Sequence, residues 1–152
     1  MIVQELAPQY HATHQKRYLA LLQGISEEHL SWKLPPATNS IGFLIRHIAE
    51  VEYAFSQMFF NQTPAKEEGI FTLGKVTDTG VWVNLNDLMD YTERASQFLL
   101  QSMELLPEES WDQPVESRIG VMTPRDAFGL LLYHKGYHAG QIGWIQKYGA
   151  QA

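Results

Sequence analysis

Four stretches of about 20 residues repeat their apolar side chains at the period of an α-helix, and no stretch alternates convincingly with period two. That pattern restricts the chain to an all-α fold. The first stretch runs from about Ile2 to Gly24, with Val3, Leu6, Tyr10, Arg17 and Leu21 on one side at roughly 100° per residue. The second begins at Asn39 and Ser40, residues suited to capping, and continues to about Asn61. The third starts near Asn86 or Asp87 and stops at Pro107. The fourth has the clearest start, with Thr123 as cap, Pro124 in the first helical position and Asp126 in the first turn; it ends at Tyr148 before Gly149. Four such helices make a four-helix bundle.

The connections, Ile25 to Thr38, Gln62 to Leu85 and Pro107 to Met122, exceed the about 2 to 8 residues usual between bundle neighbours, so at least one crosses over. Two of them carry similar segments, "SEEHLSWKLPP" and "PEESWDQP", which read as short helical turns whose Trp32 and Trp111 cap the core. "EGIFTLGKVTDTGVWVN" has room for a short hairpin or an ordered flap.

Composition excludes several chemistries. With 152 residues and no cysteine, the chain has no disulfides, thiolate metal sites or Cys nucleophile, and any reacting thiol must come from a substrate. The net charge of -6 gives no footprint for phosphate backbones, so nucleic acid is not an expected partner. A cytoplasmic protein without membrane span or signal peptide is expected, since no basic stretch precedes an apolar run near Met1. HExxH, GxSxG and Gly-rich phosphate loops are missing.

Histidines carry the positive signal. On a wheel centred on His134, His138 falls at about +40°, Gln141 at about -20°, Ile145 at about +20° and Leu131 at about +60°, which turns the pair toward the core. His47 lies in the apolar stripe of the second helix with Leu44, Val51, Ala54 and Met58. Each unsatisfied buried polar group costs roughly 1 to 3 kcal/mol. A divalent cation removes that cost from three imidazoles together, and a three-histidine site keeps a position for water or substrate. A hydrogen-bonded polar layer is the alternative reading of the same three residues. Imidazole suits zinc, nickel, iron and cobalt, so spacing does not choose the element.

"SIGFLIRHIAEVE" followed by "LLLYHKGYHAGQI" resembles the DinB/YfiT-like family, with its histidine in helix two and HxxxHxxQ-type motif in helix four. The resemblance covers essentially the whole chain. It implies one DinB-like four-helix-bundle domain over residues 1–152 with long crossover connections, His47, His134 and His138 as metal ligands, and frequent dimers. It further implies thiol-dependent chemistry such as transfer of bacillithiol, so the expectation is S-transfer from a low-molecular-weight thiol to a small electrophile, with zinc or nickel bound. A metal-dependent hydrolase, or a non-catalytic metal or small-ligand-binding module of a stress response, remains the alternative.

Around that centre, Glu50 is a candidate base or partner of a ligand imidazole, or else forms a rim ion pair. Gln141 is placed to hold a ligand or substrate, or else has a structural role, and Tyr137 is a weaker site candidate that more simply packs. Tyr10, His14 and Arg17 put polar groups on the inner face of the first helix, where they are candidates to line a substrate pocket; Arg17 then holds a carboxylate, or pairs with Glu50 or Glu52. His14 departs from the family, which carries Asn there by our matching. Glu52 falls on the far side of its helix and reads as solvated; His11 and His29 read as surface residues. Gly129, Gly136, Gly140 and Gly143 form a stripe opposite the histidines. Each costs about 0.8 to 1.0 kcal/mol relative to Ala, which calls for a close neighbour: a helix of the same bundle or, as we favour, a second subunit in a homodimer.

Overall fold

A computed structural model describes residues 1–151. The architecture is an all-α bundle, as the periodicity predicts. Its first helix is composite: α1 (Ile2–Thr13) passes through a π turn (His14–Tyr18) into α2 (Leu19–Gln23). The sequence explains the π turn. Leu6, Tyr10, His14, Tyr18 and Leu22 follow at steps of four, and on an ideal α-helix each such step drifts by about 40°. The wider π turn takes up that drift, so that Tyr10, His14, Tyr18 and Leu22 are all buried.

The remaining long helices are α3 (Ile41–Phe59), α4 (Leu85–Leu105) and α5 (Pro124–Tyr148). Ser40 caps α3 by accepting from the Phe43 N–H at 3.2 Å, and Asp78 of the following connection accepts from the Ser40 N–H at 2.8 Å. Asn84, two residues before the expected start, caps α4 by accepting from Asp87 N–H, and Thr123 caps α5 as its sequence signal requires.

α3 is the central helix. It packs against both α4 and α5 and is buried on nearly every side, including Glu50 and Glu52. Two large core regions and a smaller one share it. One large region gathers Phe55 and Phe59 with Tyr10, Leu99, Met103, Trp111 and Phe128; the other gathers Ile41, Ile45 and Ile48 with Tyr18, Leu30, Leu88, Ile142 and Ile145; the smaller joins Ala49 and Tyr53 to Tyr91 and Ala95 of α4. Trp111 is wholly buried against Phe60, and Trp32 packs on the second region, each beside a 3₁₀ turn (Glu108–Ser110 and Glu27–Ser31), in agreement with the capping role read from the two similar segments.

The connection between α3 and α4 forms no hairpin. It holds a 3₁₀ turn (Lys66–Glu68) and then irregular chain with bends, fastened to the bundle. Arg46 donates to the Glu68 and Gly69 carbonyls, and Tyr91 O–H donates to Gly69. The hairpin lies in the next connection, as β2 (Val115–Ser117) paired antiparallel with β3 (Gly120–Met122). A second short pair joins β1 (Trp32–Lys33) to β4 (Ala150–Gln151). No helix among the described residues is long and apolar enough to cross a membrane.

Candidate metal centre

His47 of α3 and His134 and His138 of α5 come together. One ring nitrogen from each lies within 4.8 Å of the others, and the Nε2 atoms of His47 and His134 are 3.0 Å apart. The backbone brings this about simply: four residues on one helix place His134 and His138 a turn apart, and α5 packs along α3 at the level of His47.

Hydrogen bonds on the far side orient two of the rings. His47 Nδ1 lies 3.0 Å from the Thr72 carbonyl, an acceptor, so Nδ1 carries the proton and Nε2 presents its lone pair to the centre. His138 Nδ1 lies 2.6 Å from Gln141 Oε1, which likewise directs its Nε2 inward. His134 Nδ1 is buried without a partner. All three rings are neutral. Burial holds His134 down to about 3, with His138 and His47 beside it adding to the shift, and burial lowers His47 and His138 as well. Three convergent neutral imidazoles form a donor set that fits a divalent cation.

Glu50 has a different role from the base proposed on sequence grounds. Its Oε1 accepts from the Phe71 and Thr72 N–H groups at 2.7 and 2.8 Å, and its Oε2 accepts from Arg46 Nε at 2.6 Å. Both oxygens are engaged. The carboxylate fixes Thr72, whose carbonyl orients His47, so Glu50 acts on the centre through the loop. Arg46 in turn lies over the Tyr91 ring, 3.4 Å from its centroid.

Tyr10, His14 and Arg17 do not line a pocket on the metal centre. Arg17 is exposed, because the π turn rotates Tyr18 inward in its place. No pairing of Arg17 with Glu50 or Glu52 forms. Tyr10 and His14 are buried in a separate cluster around Lys135, which is 2% exposed. Lys135 Nζ donates to Glu52 Oε1 at 3.0 Å and to His14 Nδ1 at 2.5 Å, and Tyr10 O–H donates to Glu52 Oε2. Burial pulls the Lys135 ammonium below its ordinary value while Glu52 opposes the shift. Glu52 is therefore buried and paired, not solvated. Neither Lys135 nor its role was evident from the residue types, although Leu131, Lys135, His138, Ile142 and Ile145 follow the spacing of a core stripe. His29 closes a capping box with Ser26, His11 is half-buried, and Tyr137 is exposed, against its expected packing role.

The true core face of α5 is centred near Lys135 and Ile142, about 60° or more from the His134 direction. His134 and His138 thus stand at the edge of the core and open onto a cavity of about 610 Å³ beside Val51, Phe55, Met58, Leu130 and Tyr137. The glycine stripe faces away from the bundle. A Cβ added at Gly129, Gly136 or Gly140 would meet nothing within 4 Å, and only Gly143 lies near another helix, 3.9 Å from Leu21. A close neighbour from the same bundle is ruled out for those three positions.

No curated protein and no solved structure matches the chain. The family model described as DinB superfamily matches residues 10–142, a span that contains the composite helix from Tyr10 onward and the three histidines. The chain belongs to the DinB superfamily.

Proposed function

We propose that this protein is a metal-dependent enzyme, loaded with zinc or nickel, that transfers a low-molecular-weight thiol to a small electrophile. The observation that carries the reading is the set of three neutral imidazoles whose donor atoms converge at the mouth of an apolar cavity. His47, His134 and His138 would hold the cation, which when bound lowers the pKa of a thiol or water and so supplies a nucleophile at neutral pH. The chain's own residues prepare that site. Thr72 and Gln141 set the protonated nitrogen of His47 and His138, Glu50 and Arg46 hold the Thr72 segment, and the α3 and α5 walls give the cavity an apolar lining. The absence of cysteine leaves the thiol to a co-substrate.

Storage of a fully coordinated ion is the weaker reading, because Glu50 and Gln141, the residues that would complete such a cage, are engaged elsewhere. The test is metal analysis of protein purified without a histidine tag, paired with His138→Ala. Wild type is expected to bind one equivalent of zinc or nickel and the variant to lose it; a wild type that binds neither after supplementation removes the reading. With metal bound, a panel of thiols assayed against a chromogenic aryl halide separates transfer from hydrolysis of esters.

We also propose a homodimer through the outward face of α5. Gly136 and Gly140 lie beside Tyr133, Tyr137, Trp144 and Tyr148, which are exposed by 54% to 67%. An apolar face with room for close backbone approach is unusual on a monomer surface.

A further inference from the structure

We propose that the cavity beside the histidines binds a small amphiphilic anion, an apolar body carrying a carboxylate, and that Arg118 receives the carboxylate. The inference names the substrate class of the enzyme reading and rests on that reading for the chemistry at the histidines.

The cavity is apolar on both walls. Val51, Phe55 and Met58 of α3 face Leu130 and Tyr137 of α5, with His134 and His138 among the lining residues. A volume of about 610 Å³ is within the range of small-molecule sites. Among the described residues, Arg118 is the only charged side chain that lines it, and the only one lining an adjoining hollow beside Met58, Ile70 and Leu73. It comes from outside the bundle, on the turn of the β2–β3 hairpin. Ser117 fixes that turn: its hydroxyl donates to the Gly120 carbonyl at 2.8 Å and accepts from the Ile119 N–H at 3.2 Å, while Gly120 takes φ 118°, which other residues rarely adopt.

Arg46, Arg94 and Arg125 each pair with a carboxylate, whereas Arg118 makes no hydrogen bond or ion pair among the described residues. A rigid turn therefore presents an uncommitted guanidinium to an apolar cavity. Its fork suits a carboxylate in two-point contact. A polyphosphate would need more cations than one, a sugar would need more polar partners than two tyrosines and two histidines among apolar walls supply, and a cationic ligand would meet Arg118 unfavourably.

Calorimetric titration with octanoate and with 1-octanol, on both chelator-treated and zinc-supplemented protein, tests the assignment. Octanoate is expected to bind saturably and about fivefold more tightly than octanol or better. Arg118→Met should abolish that preference without weakening octanol. Leu130→Gln, on the exposed wall of α5, should weaken both ligands. Both substitutions are at the surface, and circular dichroism checks that each variant is folded. Equal affinity for the two ligands, or an Arg118→Met protein that keeps the preference, overturns the proposal. The two readings fail separately: a protein that takes up no zinc yet selects octanoate through Arg118 loses the enzyme reading and keeps the site, and a zinc-loaded protein indifferent to octanoate does the reverse.

Discussion

Gln141 and Glu50 act on the clustered histidines through hydrogen bonds on the far side of the rings. Gln141 orients His138 directly, and Glu50 orients His47 through Thr72. Gln141→Leu and Glu50→Gln are each expected to weaken zinc binding about tenfold, measured against a competing chelator indicator, since the partners of ligating imidazoles typically contribute that much. For Glu50→Gln, faster hydrogen exchange at the Phe71 and Thr72 amides should accompany the loss. His14 makes a pH prediction. Burial, then Lys135 of α5 and His11 of its own helix, lower it to about 3; Glu52 of α3 and Tyr10 and Tyr18 complete its surroundings. Its folded pKa lies below the unfolded value of about 6.5, so the unfolded chain takes up the proton first. Its stabilising contribution is complete above about pH 6.5 and falls as pH drops toward 3. Urea unfolding between pH 6 and 4 should show His14→Gln with a shallower slope, by up to about 1.4 kcal/mol per pH unit. That the three histidines face the core of two helices was readable from residue type and spacing, and their reading as ligands from the family resemblance; the hydrogen bonds that orient them were not, because Thr72 and Glu50 meet only through a loop whose path no local pattern encodes.

Helix boundaries followed closely from caps and periodicity, and helix faces less so. The wheel for α5 was centred on its histidines, whereas burial is centred on Lys135 and Ile142; a lysine on an apolar stripe looks like a boundary until Glu52 is found opposite. Glu52 reads as solvated for the converse reason: a wheel assumes one wet face, and α3 has almost none. Lys135→Met should destabilise the fold by about 3 to 5 kcal/mol, because it strands a buried carboxylate, and adding Glu52→Gln should recover part of that loss in thermal unfolding. The N-terminus of α3 supports a second prediction. A Cβ on Gly42 would lie 1.8 Å from the Trp82 carbonyl oxygen, so the connection passes directly over the helix. Gly42→Ala is expected to cost about 1 to 3 kcal/mol, despite the better helix propensity of alanine, because the connection must be pushed off.

At the scale of the molecule, the length of the connections announced a crossover, but not that one would be pinned by Arg46 or that another would end in the Arg118 turn. The first depends on contacts 22 and 23 residues apart in sequence, and the second is a local hairpin whose three-residue strands are too short to show a period of two. Assembly is open to test by sedimentation: wild type is expected to be a dimer, and Gly140→Leu or Trp144→Glu to be a folded monomer, since Gly140 and Trp144 are exposed in the single chain. The π turn has a consequence for how this sequence can vary. It behaves as a one-residue insertion in the first helix, sited between the core region that holds Tyr10 and the one that holds Tyr18 and Leu22. Deleting Gln15 would turn the steps of four from Leu6 to Leu22 into steps of 4, 4, 3 and 4, which an unbroken α-helix carries on one face, so Tyr10, Tyr18 and Leu22 would keep their direction toward the core. A related chain that lacks the extra residue is therefore expected to run an unbroken α-helix here with its core positions unshifted.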